Sequence, residues 1–67
     1  METIKEIRQN KENLHYPYLL LSDNSLINIA TYTMRALYGD NPIGKEYNKE
    51  QVFNFEKERA KIEVLSF

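Results

Sequence analysis

The segment Gly39-Asp40-Asn41-Pro42-Ile43-Gly44-Lys45 satisfies the G-x-x-x-x-G-K pattern of a phosphate-binding loop letter by letter. That pattern cradles phosphate when a strand precedes it, a helix follows it, and a Ser or Thr hydroxyl comes next for Mg²⁺. Here a helical pattern precedes the loop, and Glu46 stands at the hydroxyl position. Pro42 removes a backbone N–H from the cradle, and Asp40 repels phosphate. The segment reads as a turn.

The other residues able to do chemistry are equally isolated. His15 is the single histidine and cysteine is absent, so a metal site would draw its remaining ligands from Asp and Glu. No such cluster sits beside it. Use of His15 as a general base needs a nucleophile and an orienting group, and no spacing supplies them. The carboxylates Glu46 and Glu50, and Glu56 and Glu58, alternate with lysines in helix-forming sequence, which describes a solvated face. Asp23-Asn24-Ser25 lacks the alternating ligands and terminal Glu of an EF-hand loop. The sequence therefore predicts no catalytic, cofactor-binding or metal-binding residues, no cofactor and no enzymatic activity.

Five elements would position whatever function remains. Thr3 with Glu6 three residues on forms a capping-box pattern, predicting a helix to about residue 13 with Ile4, Ile7 and Leu14 on its apolar stripe. Residues 16–21 read as a strand with Pro17 at its start or on an edge. Residues 25–38 read as a helix, with N-caps available from Ser22-Asp23-Asn24 and Gly39 at its end. Leu26, Ile27, Ala30, Met34, Leu37 and Tyr38 share one arc of that helix, its core face. Ile29, Tyr32 and Ala36 make a second apolar stripe, leaving Asn28, Thr31 and Arg35 as the polar side.

Residues 39–44 form a connector in which Asn41-Pro42 favours a turn. Asn48 with Gln51 three residues on opens another helix to about residue 60, with Val52, Phe55, Arg59 and Ile62 spaced for one face. A rival reading makes residues 52–56 a strand hairpinned onto 61–67. The link Lys57-Glu58-Arg59-Ala60 holds no Gly or Asn for a tight turn, so the helix is preferred. Residues 62–67 close the chain as a strand able to pair with 16–21. The expected fold is a small α+β domain over residues 1–67, three helices with a two-stranded sheet in the order α-β-α-α-β. Two strands alone are marginal and need helix packing or a partner's strand to support them.

Composition narrows the function classes. The chain has 67 residues, is 42% hydrophobic and 28% charged, and carries a net charge of −1, which suits a folded domain. A domain this short buries only roughly 60% of the surface its unfolded chain exposes, and a core of that size rarely supplies more than about 3–5 kcal/mol of net stability. Without cysteines a partner is the common remaining source of support. No basic surplus favours phosphate backbones, and no acidic surplus mimics them. Residues 1–13 lack the apolar segment of a signal peptide, and the longest aliphatic run is Leu19-Leu20-Leu21, so a cytoplasmic location is expected. Seven Asn, six Lys, six Ile and five Tyr fit an AT-rich genome, such as that of a low-GC bacterium or its phages and mobile elements.

One resemblance points elsewhere. Tyr47-Asn48-Lys49-Glu50-Gln51-Val52 resembles the Tyr-x-x-x-x-Val start of the helix that follows the wing in MerR-like and excisionase-like DNA-binding domains. Arg35-Ala36-Leu37-Tyr38 resembles the end of their recognition helix. The resemblance covers a minor part of the chain. It implies a small winged-helix-like, nucleic-acid-binding transcriptional regulator. Against it, residues 27–38 hold no glycine turn, and the sequence has no basic cluster for phosphate.

The reading preferred from sequence is a non-catalytic protein-binding module. It would be an inhibitor or adaptor of a host protein, encoded by a phage or mobile element of a low-GC bacterium. Tyr and Arg anchor protein interfaces because they are large and end in a polar tip. Ile29, Tyr32, Arg35, Ala36 and Tyr47 are the expected partner-binding residues. The partner is another protein or a second copy of the chain, giving a homodimer; nucleic acid ranks behind both, and no membrane partner is expected.

Overall fold

A computed structural model describes the backbone of residues 1–65 and the side chains of residues 1–62. The element order is β1 (Glu2–Arg8), β2 (Tyr18–Leu21), β3 (Leu26–Asn28), α1 (Thr31–Tyr38), β4 (Glu46–Tyr47) and α2 (Lys49–Leu65). The strands form one antiparallel four-stranded sheet in the order β3-β2-β1-β4. The fold is α+β, but the expected three helices and two-stranded sheet in the order α-β-α-α-β are replaced by two helices on a four-stranded, curled sheet.

The first correction lies at the start of the chain. Thr3 does not cap a helix; its backbone N–H donates to Ser22 Oγ at 3.0 Å, and its carbonyl accepts from the Ser22 N–H at 2.8 Å. Ile4 pairs with Leu21 and Ile7 with Leu19, although three positions separate the isoleucines and only two separate the leucines. A bulge between Ile4 and Glu6 absorbs the difference. An extra residue in one strand resets the alternation of faces, so an i, i+3 spacing that reads as a helical stripe lands on one face of a strand.

The second correction divides the expected helix 25–38. Ser22-Asp23-Asn24 builds the β2–β3 hairpin instead of a helix start. The Asn24 N–H donates to the Leu21 carbonyl and the Leu21 N–H to the Ser25 carbonyl, both at 2.9 Å. Asp23 Oδ1 accepts from the Ser25 N–H at 3.0 Å, and Asn24 takes a left-handed φ of 70°. Beyond the turn, exposure alternates: Leu26 and Asn28 face outward while Ile27 and Ile29 face the interior, the period of a strand. Helix α1 begins only after Ala30, whose φ of −66° and ψ of 139° are extended.

At the other end, α2 continues to Leu65, so residues 62–65 are helix and not a closing strand. Ser66 and Phe67 lie outside the described residues. Strand β2 has β1 and β3 on its two sides, which leaves no place for the expected pairing with 62–67. The same helix excludes the rival hairpin over 52–56. The predicted helix start holds: Asn48 Oδ1 accepts from the N–H groups of Glu50 and Gln51 at 3.0 and 3.1 Å. Pro17 directly precedes β2, where its missing N–H costs no ladder bond.

The core joins Ile4, Leu19 and Leu21 of the sheet to Ile29, Met34 and Tyr38 of the α1 segment, with Ile27, Leu37, Tyr47 and Val52 packed against them. Leu20 is only 8% exposed yet stands outside that cluster, paired with Glu6 and Leu26 on the other face of β2. Among the described residues no helix is long and apolar enough to cross a membrane.

Candidate functional site

Helix α1 turns Thr33, Met34 and Tyr38 inward and Tyr32, Arg35 and Ala36 outward. Tyr32 is 63% exposed despite its size. Helix α2 runs beside it and brings Phe55 to a ring-centroid distance of 6.1 Å at an interplanar angle of 34°. One turn further on, the Arg59 guanidinium lies 4.9 Å from the Tyr32 ring centroid. Tilted aromatic pairs in this range are worth about 0.5–1.5 kcal/mol, and exposed cation–π contacts about 0.5–1 kcal/mol. These contacts orient the rings, with Tyr32 open to solvent and Phe55 half-buried.

An open cleft of about 440 Å³ results, lined by Tyr32, Phe55, Glu58, Arg59 and Ile62. Ile62 is 68% exposed. Glu58 pairs with Lys61 at 3.4 Å. A shallower cleft of about 160 Å³ lies where Tyr16 of the β1–β2 loop meets Glu56, Arg59 and Ala60. Arg59 therefore borders both.

Of the residues named from sequence, the structure places Tyr32, Arg35 and Ala36 together on the exposed face of α1. It separates the other two. Ile29 is 1% exposed and belongs to the core. Tyr47 is half-buried on β4 and packs against the core cluster. Burial pushes its phenol pKa above the ordinary value. The lining residues Phe55, Glu58, Arg59 and Ile62 were not expected at a binding surface. Phe55, Arg59 and Ile62 are legible in the sequence as one helical face together with Val52, but that spacing alone gives the face no binding role.

The remaining polar chemistry is occupied with folding. In the 39–45 loop the Gly39 N–H donates to the Arg35 carbonyl, Gly44 to Ile4, Lys45 to Pro42, and Ile43 to Asn41 Oδ1. Those donors are turned into the fold, and the loop runs from a helix into a strand. His15 is exposed and serves through its backbone, donating to Asn13 Oδ1 and accepting from the Thr31 N–H. Hydrogen bonds from the Ser25 hydroxyl and N–H hold the Asp23 carboxyl below its ordinary pKa, within the hairpin turn. Among the described residues no three His, Cys, Asp or Glu side chains converge to hold a metal.

Among the described residues, the buried Thr33 Oγ1 and Tyr38 hydroxyl have no hydrogen-bond partner. Burial raises the Tyr38 pKa; the nearby Asn48 backbone N–H opposes that rise, from outside hydrogen-bonding geometry.

The segment resembling MerR-like domains does straddle the β4–α2 boundary, with Val52 packed toward the core. Arg35-Ala36-Leu37-Tyr38 ends α1 as the resemblance implies, but the element before α1 is strand β3 and not a helix. In comparisons with known proteins, no family model, no curated protein and no solved structure matches the chain.

Proposed function

We propose that this chain is a small non-catalytic protein-binding module, an inhibitor or adaptor that covers a functional surface of another protein. The observation that carries the reading is the Tyr32–Phe55–Arg59 stack with Ile62 beside it, an aromatic and aliphatic face held open on two helices. Large rings oriented before binding lose little conformational freedom when a partner covers them. In this reading the module acts in the cytoplasm on a host protein, as products of phages and mobile elements do.

The test uses the full chain, tagged, in a pull-down from nuclease-treated lysate of a low-GC bacterium, run beside Tyr32→Ala and Arg59→Ala. One stoichiometric protein should be retained at high salt by the parent and released by both variants, while their circular dichroism stays that of the parent. Capture that ignores both substitutions would refute the assignment of this face. Recovery of the bait alone, with co-purifying DNA from untreated lysate and affinity falling steeply with salt, would replace the reading with a nucleic-acid-binding regulator. Recovery of the bait alone without DNA, with twice the chain mass for the purified protein in solution, would make the chain a homodimer.

A further inference from the structure

We draw no further inference here: the strongest candidate, the open cleft between α1 and α2 lined by Tyr32, Phe55 and Ile62, belongs to the surface already proposed for a protein partner, and nothing in the structure shows what covers it.

Discussion

Asn24 and Tyr38 carry two sharp tests of single side chains. At φ 70° Asn24 occupies a left-handed conformation that costs other L-residues roughly 1–2 kcal/mol. Asn24→Ala should therefore lower stability by about 1 kcal/mol in urea titration, whereas Asn24→Gly should stay close to the parent. The Tyr38 hydroxyl is buried without a hydrogen bond, so Tyr38→Phe removes a desolvated polar group and keeps the ring. The variant should be as stable as the parent or up to about 1 kcal/mol more stable. A loss of 2 kcal/mol or more would mean that the hydroxyl is satisfied in solution. The pH dependence follows the same burial. The Tyr38 and Tyr47 phenols have folded pKa values above the ordinary 10.0. Above pH 10 the unfolded chain has lost protons that the folded chain retains, so stability is fully present below pH 10 and declines as pH rises beyond it. Urea midpoints should hold from pH 8 to about 10 and fall above it, and Tyr38→Phe should flatten that fall.

Among the elements, α2 is supported unevenly. Val52 packs against the core and Phe55 against Tyr32, but Ala60, Lys61 and Ile62 are exposed. Short helices in water are marginal and depend on tertiary packing. Asn48→Ala, which removes the acceptor for two N–H groups, should cost about 1 kcal/mol. Ile62→Ala should change stability by less than about 0.5 kcal/mol while weakening partner capture. An equal loss from both would show that the distal half of α2 is packed. The helix start was legible in the sequence because a cap is local: Asn48 meets N–H groups two and three residues away. Strands β1 and β3 were not, because their signals have two meanings. Ser22-Asp23-Asn24 suits a helix N-terminus and a hairpin turn alike. Ile27 and Ile29 fit a helix until they are set opposite β2, and Ile4 and Ile7 mimic a helical stripe only because a bulge lies between them.

For the whole molecule, the small core sets the terms. Leu19 lies at its centre, fully buried between β1 and β3. Leu19→Ala removes about 2–5 kcal/mol, comparable with the ceiling of about 3–5 kcal/mol that a single core of this size rarely exceeds. That variant should be largely unfolded at room temperature by circular dichroism. The Cα radius of gyration is 12.4 Å and the longest dimension 38 Å, against roughly 11 Å expected for the radius of a compact chain of this length. The candidate site followed the same division of legibility. Tyr32 was named from its spacing with Ile29 and Ala36 on the expected helix 25–38, but the side chains that line the cleft with it come from α2. Their meeting depends on the path through β4, which no local pattern encodes.

The bulge at Lys5 has a consequence for the gene as well as the fold. Removing that one codon would restore strict alternation through β1 and still leave Ile4 and the former Ile7 opposite Leu21 and Leu19. A chain one residue shorter at this point would keep the same pairs across β1 and β2. An alignment that forbids a single gap there would place every later position of the strand on the wrong side.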